Sequence, residues 1–432
     1  MIWSRKPKLL IVGDSAKVHT GFGRVIKEIT THLYNTNQFD ITTIGWFDRA
    51  TSEFVPFPVI PTSHRSVQEQ EADKYSQLTF PKAVQTIKPD LVLSVGDKWM
   101  TEHIAKCSDR GTFKWISYVP IDGAPLPLGW AEELGKADKL VMYTNFARNV
   151  LHGRSPEIAS GCEVIYHGTD TETFHPLDKK ECKKKLGFDE DSFIFGCVAR
   201  NQPRKYLPRL IKAFALFYKG IGPDLRSQPE KDKIKLFMHM AVKDCGWDLE
   251  ELINRYGIKD SVVFTDGLKI GAGVDSDTLN VIYNSFDVHT LPTSGEGWGL
   301  SVSESGSCGV PNLVTDWFAH KEFCSGFSSL IPVGDFIVEP LTNIERALVD
   351  IHEYARGMDR MYLEPDEYNE KHKMENPVTS GAPYRKMLGD RGREDMLKMD
   401  WNIINEKWLE LVQSTLGYDG VIKKQNVKVV IL

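Results

Sequence analysis

The sequence predicts an α/β chain of two doubly wound domains, each built on a parallel sheet. Three observations carry this. Short apolar runs alternate with longer amphipathic segments along most of the 432 residues, as strand–helix–strand crossovers require. The runs are continuous rather than alternating, as in strands covered on both faces. The alternation stops once, at the polar, Lys-rich residues 177–186, and then resumes.

In order, residues 8–12, 40–45, 90–95, 114–119, 139–143 and 163–166 read as strands of the first sheet, with helical spacing over 23–34 and 80–87. The second sheet takes 193–198, 235–240, 262–265, 288–291 and 312–315. At roughly 100–200 residues per domain the length admits two to four domains. The single interruption sets two, 1–175 and 176–395, with a ligand cleft expected between them, outside the carboxyl ends of the strands. Residues 358–384 carry little periodicity and read as an excursion or loop. Residues 385–416 return to helical spacing through Met387, Leu388, Met396, Leu397, Trp401, Ile404, Trp408 and Leu411; 396–417 read as a helix crossing back to the first domain, and 418–432 as a tail with a strand-like end at 428–432.

Composition narrows the function classes. With 41% hydrophobic and 26% charged residues, the chain buries a large core and is not disordered. Lys+Arg 53 against Asp+Glu 59 leaves a net charge of −6, with no strong steer toward nucleic acid. Seven scattered cysteines, none in a Cys-x-x-Cys pair, exclude a disulfide framework and a zinc ribbon. The first apolar run, 9–12, is too short for a signal peptide, and no run of about 18 apolar residues occurs. A cytoplasmic chain is the expectation.

Chemistry concentrates in residues 291–311, an apolar strand running into Pro-Thr-Ser-Gly-Glu-Gly-Trp-Gly-Leu and then a short helix closed by Cys-Gly-Val-Pro. Glycines leave the backbone N–H groups at such a helix start uncovered, which suits an anion such as phosphate. Glu296 stands in the loop and Glu304 eight positions on; at about 100° per residue they lie some 80° apart on successive turns, able to face one ligand.

This segment resembles the retaining glycosyltransferases of the two-domain GT-B fold, family 4. Glu296, Gly297, Trp298, Gly299 and Leu300 match that family's Glu-Gly-Phe-Gly-Leu signature, and Glu304, Gly309, Pro311 and then Glu322 match the positions after it. The resemblance implies that Glu296 approaches a donor sugar and Glu304 holds the ribose of a nucleotide. Residues 167–176 are similar to the family's exit from the first domain, where the plainer reading is a turn capped by Asp170 and ended by Pro176. Residues 199–206 look like its diphosphate grip, which implies that Arg200 and Lys205 bind phosphate, with Arg204 as a third cation. The flanking glycines of that grip are Ala199 and Tyr206 here. Gly21 and Gly23 fall where the family keeps a glycine-rich loop near the donor; an ordinary strand-to-helix turn reads the same way. The family's first-domain His is missing. Asp122 is the nearest replacement and Asp97 the second, each a sugar or acceptor contact or a loop cap.

The resemblance implies transfer of a sugar from a UDP- or GDP-sugar, with retention, to an acceptor hydroxyl chosen by the first domain. The variable stretch there, 48–75, carries Phe54, Phe57, His64 and Arg65. A saccharide, a lipid-linked sugar, a protein or a nucleobase is admissible as acceptor. No cofactor is expected, and no metal, because Asp275-Ser-Asp277 sits in a Gly-rich loop rather than after a strand. Lys179, Lys180, Lys183, Lys184 and Lys185 form a basic cluster, read either as a peripheral membrane contact or as a solvated helix face. His239 reads as a nucleotide contact or as a core histidine. An epimerase or phosphorylase of the same fold, or a sugar-binding module without catalysis, stands as the alternative. A nicotinamide dehydrogenase is disfavoured, because the loop after residue 12 lacks the Gly-x-Gly-x-x-Gly spacing.

Overall fold

The computed structural model describes residues 3–48, 54–62, 66–220, 231–268 and 273–421. His64, Arg65 and the strand-like end at 428–432 lie outside the described residues. The chain divides into two compact units, one of Met1–Ile121, Leu126–His167 and Trp401–Leu432, the other of Asp122–Pro125 and Gly168–Asp400.

The first unit holds β1 (Lys8–Asp14), β2 (Asp40–Trp46), β3 (Val59–Pro61), β4 (Leu91–Val95), β5 (Lys114–Val119), β6 (Lys139–Met142) and β7 (Glu163–Val164). They form one sheet in the order β3-β2-β1-β4-β5-β6-β7, with every pairing parallel. Leu9, Leu10, Ile11 and Val12 of β1 are all buried, which is why a central strand shows as an unbroken apolar run. The helix Trp401–Leu416 packs on helix Gly21–Asn35 of this unit. Its Trp408 is fully buried, edge-on to Tyr118 with ring centroids 4.6 Å apart.

The second unit holds β8 (Phe193–Val198), β9 (Ile234–His239), β10 (Val262–Phe264), β11 (Val288–Leu291), β12 (Asn312–Thr315) and β13 (Ser328–Ile331), followed by β14 (Val333–Val338) and β15 (Glu345–Val349). The first six make a parallel sheet ordered β10-β9-β8-β11-β12-β13, and β14 and β15 pair as a separate antiparallel hairpin. The sheet reverses direction of winding between β8 and β11, the switch point at which open α/β sheets bind ligands.

Two expectations are corrected, and a third feature is resolved. Residues 358–384 are not a loop: they carry the end of helix Ile351–Tyr362, helix Pro365–Lys371 and the start of helix Gly381–Lys398. The last of these lays Gly389 and Gly392 against Gly309 and Gly306, so closely that a Cβ on Gly389 would stand 2.2 Å from Gly309 O. Asp275-Ser-Asp277 is a helix start, with Asp275 accepting from Thr278 N at 2.8 Å. In the lysine cluster, Lys180, Lys184 and Lys185 are exposed on a solvated helix face, the plainer of its two readings, and most of the cluster is ion-paired. Lys183 and Lys179 pair with Asp287 at 2.9 and 3.4 Å, Lys184 with Glu190 at 2.9 Å, and Lys180 with Asp191 at 3.4 Å. Lys183 is buried, so its charge is matched inside the unit, as a buried cation must be.

Candidate functional site

The site sits at the carboxyl ends of β8 and β11, on both sides of the switch point. After β8, a 3-10 turn at Pro203–Lys205 places Arg204 and Lys205 side by side, and Tyr206 closes it in the left-handed region at φ 47°. After β11, the loop crosses to meet them. Lys205 Nζ hydrogen-bonds Glu296 Oε2; Arg204 Nη1 bonds the same oxygen at 3.1 Å and Gly295 O at 2.8 Å. The loop is tied further by Ser294 N–H, which donates to Arg204 O at 2.7 Å. Lys205 and Glu296 are each only 8% exposed.

Burial opposes the Glu296 carboxylate, but Arg204 and Lys205 outweigh it and bring its pKa down to about 2. Lys205 is shifted down by burial, against the pull of Glu296. The result is one carboxylate shared by two cations, with a point-charge donor beside a fork-shaped one, both of them donor types that suit anionic oxygens.

Beyond Glu296 the loop turns at Gly299, whose φ of 109° is open to glycine and rarely to other residues. A Cβ there would also meet His320 Nε2 at 2.8 Å. His320 is fully buried, and neither ring nitrogen makes a hydrogen bond. Burial pulls its pKa down to about 4 despite Glu296 nearby. Helix Leu300–Ser307 starts at Gly299 with no side-chain cap, so its first N–H groups are left for other acceptors. Within it Glu304 is buried and accepts from Tyr283 Oη at 2.7 Å. Arg393 braces the other end, with Nη1 on Ser307 O at 3.1 Å and on Phe174 O at 2.9 Å.

The structure therefore brings together Lys205, Arg204, Glu296, Gly297, Gly299, Leu300 and Glu304. Trp298 is in the loop, but its ring is buried and stacked on Phe323 with centroids 4.3 Å apart, so it anchors the loop and does not present a face to a ligand. Arg200 is not drawn in: it forks onto Asp244, with both bonds at 3.0 Å, and is 55% exposed. Asp122 is ion-paired to Arg346 at 2.6 Å. Glu322 is half-buried on helix Phe318–Phe323. His239 bonds Thr265 Oγ1 at 2.7 Å, and Asp170 accepts from Thr173 N at 2.9 Å.

In the first unit, Gly21 is exposed and begins helix Gly21–Asn35. Gly23 is there because a Cβ would meet Val18 O at 2.5 Å, and its N–H donates to the capping Thr20 Oγ1 at 3.0 Å. Asp97 precedes helix Lys98–Ala105. Tyr283, His320 and Arg346 escaped the sequence reading: each lies remote from the motif residues it touches, and no local pattern marks it. Among the described residues, no cluster of three His, Cys, Asp or Glu is placed to hold a metal, and no helix is long and apolar enough to cross a membrane.

Comparison with known proteins bears on this geometry. Residues 178–325 match the family model "Glycosyl transferases group 1". The D-inositol 3-phosphate glycosyltransferase of Stackebrandtia nassauensis is 26% identical over 223 residues, 50% of this chain and 47% of that protein. The lipopolysaccharide core biosynthesis mannosyltransferase LpsB of Rhizobium meliloti is 29% identical over 170 residues, 38% of this chain and 43% of that protein. The chain thus spans about half the length of the curated relatives it matches. Among solved structures, sucrose-phosphate synthase of Thermosynechococcus elongatus superposes over 96% of this chain and 100% of its own, with TM-score 0.70 and 16% identity. Anabaena HepE, solved with UDP and glucose, superposes over 94% of this chain and 100% of its own, with TM-score 0.66 and 16% identity. The chain has the α/β GT-B fold of these glycosyltransferase structures, and its residues 178–325 carry the pattern of group 1 glycosyl transferases.

Proposed function

We propose that the protein is a hexosyltransferase that moves a sugar from a UDP- or GDP-sugar to an acceptor hydroxyl, with retention at the anomeric carbon, in the manner of family 4. One observation carries this reading: Lys205 and Arg204 converge on Glu296 at the switch point, beside an uncapped helix start. The family match over 178–325 and the UDP named with HepE support it.

The barrier is departure of a nucleoside diphosphate, so the protein must stabilise charge that grows on the phosphates. Arg204 and Lys205 supply two cations there, and the first N–H groups of helix Leu300–Ser307 add a dipole aimed at an anion. Before a donor binds, Glu296 holds both cations in place. When the diphosphate takes them over, the Glu296 carboxylate is freed to face the sugar. Glu304, fixed by Tyr283, receives the ribose hydroxyls. Arg200 lies four positions before Arg204 and reaches the outer phosphate if it leaves Asp244. The attacking hydroxyl loses its proton late, to the leaving phosphate. Since these groups carry the charge, transfer is expected to continue in the presence of a chelator.

Calorimetry against a panel of UDP- and GDP-sugars, followed by assay of free nucleotide release, tests the proposal. Lys205→Ala and Glu304→Ala are each expected to lower turnover at least 100-fold, about 2.7 kcal/mol. Full activity in both overturns the assignment. Tight donor binding with no nucleotide release in the presence of saccharide acceptors would instead mark a binding module.

A further inference from the structure

We infer that Arg346 is a positioning residue that sets the loop carrying Glu296, with Asp122 as its counter-ion; the inference rests on the donor site proposed above. The hairpin β14–β15 adds no strand to the six-stranded sheet, yet β15 lies between two loops and bonds to both. Glu345 N–H donates to Ala124 O at 2.7 Å, and Ala347 N–H donates to Ser294 O at 3.1 Å. Arg346 stands between those two residues. Its Nη1 reaches Asp122 Oδ1 at 2.6 Å and Asp122 O at 3.0 Å, and its Nη2 reaches Glu339 Oε2 at 3.1 Å.

Gly295 completes the arrangement. A Cβ on it would stand 2.4 Å from Arg346 Nη1 and 2.7 Å from Asp122 O. The backbone just before Glu296 therefore lies directly on the Asp122–Arg346 pair, while its carbonyl accepts from Arg204 at 2.8 Å. Guanidinium on one side and the Arg204 fork on the other fix the height of this loop. The arginine side chain is only 12% exposed, and a planar fork with three oxygen partners holds one geometry where an ammonium would not. Asp122 consequently works through Arg346, as part of the support, rather than as a sugar or acceptor contact.

The test uses the full chain with Arg346→Ala, Arg346→Lys and Asp122→Asn. UDP and GDP binding is measured by calorimetry, and turnover with the matching nucleotide-sugar. Displacing a reacting group by about 1 Å costs on the order of 100-fold, so kcat is expected to fall 10- to 100-fold in Arg346→Ala and Asp122→Asn. The dissociation constant of the nucleoside diphosphate stays within threefold, which also reports that the variants fold. Arg346→Lys recovers only part of the loss. Millimolar guanidinium raises the turnover of Arg346→Ala and not that of Lys205→Ala. Turnover within twofold of the parent in both Arg346→Ala and Asp122→Asn overturns the inference. So does nucleotide affinity that falls in step with turnover in both, since the hairpin would then support the unit as a whole. If the parent itself binds neither nucleotide nor any nucleotide-sugar, the donor site fails and this inference with it.

Discussion

Replacing Lys205 by Met should separate what this lysine does for stability from what it does for ligand binding. Glu296 and Lys205 are equally buried, and the carboxylate stays ionised, with a pKa near 2, because two cations offset the effect of burial. Removing one partner of a buried pair typically costs about 3–5 kcal/mol, because it strands the other charge. Arg204 remains at 3.1 Å from Glu296, which puts the loss at the low end, about 3 kcal/mol. At about 2–4 °C per kcal/mol for a domain of 150–250 residues, the second unit should melt roughly 6–12 °C lower. The double variant Lys205→Met/Glu296→Gln removes the stranded carboxylate, while Arg204 keeps its bond to Gly295 O at 2.8 Å and is 35% exposed to water, so it should regain most of that stability. Nucleotide binding should not return with it. A hydrogen bond to a charged group is worth about 1.5–3 kcal/mol, so UDP or GDP should bind about 10- to 150-fold more weakly to both variants. Scanning calorimetry and titration calorimetry read the two effects separately. A single variant that melts within 2 °C of the parent, or a double variant as unstable as the single, would refute the shared-carboxylate account.

Acid should destabilise the fold well above the carboxylate range. Burial lowers the pKa of His167 to about 3, and of His289 and His320 to about 4, from 6.5. The unfolded chain then binds protons that the folded one refuses, so stability falls as pH drops below 6.5 and keeps falling to about pH 4, or 3 for His167; at pH 5 each is worth on the order of 2 kcal/mol. Urea titrations at pH 7 and 5 check this, and equal midpoints would contradict it. Gly299→Ala combines a φ of 109° with a 2.8 Å approach to His320; a strained residue costs about 1–3 kcal/mol, and an unchanged melting temperature would show that the loop does not need glycine. Tyr283→Phe removes the 2.7 Å bond to Glu304 and should weaken UDP or GDP binding about tenfold; parental affinity would remove Glu304 from the nucleotide site.

The parallel sheets were legible because strands buried on both faces must be apolar throughout, and the chain shows that directly in β1 and β8. What escaped the sequence reading departs from that rule for physical reasons. β14 is exposed along most of its length, and Ser328 and Ser329 open β13, so neither strand offers a full apolar run. Helix Gly381–Lys398 was half hidden because its contact with helix Leu300–Ser307 is backbone against backbone through Gly389 and Gly392. Glycine at the closest approach replaces the apolar stripe that periodicity looks for.

The site was legible in its residue types but not in its pairings. By resemblance Arg200 ranks ahead of Arg204, although both are arginines around one turn after a strand and nothing local fixes their partners. One forks onto Asp244 at 3.0 Å and the other reaches Glu296 at 3.1 Å. The 3-10 turn at Pro203–Lys205 separates them: Arg204 lies within it beside Lys205, whereas Arg200 precedes it. The same holds for Asp122, whose carboxylate faces a candidate ligand or an arginine according to a hairpin far along the chain, its Arg346 partner standing 224 positions away. Local pattern therefore names the charged residues of such a site. Long-range packing decides which of them remain available to a ligand and which hold the others in place. The net charge of −6 carries no information on that division, because it does not show that Arg204 and Lys205 share the one carboxylate of Glu296.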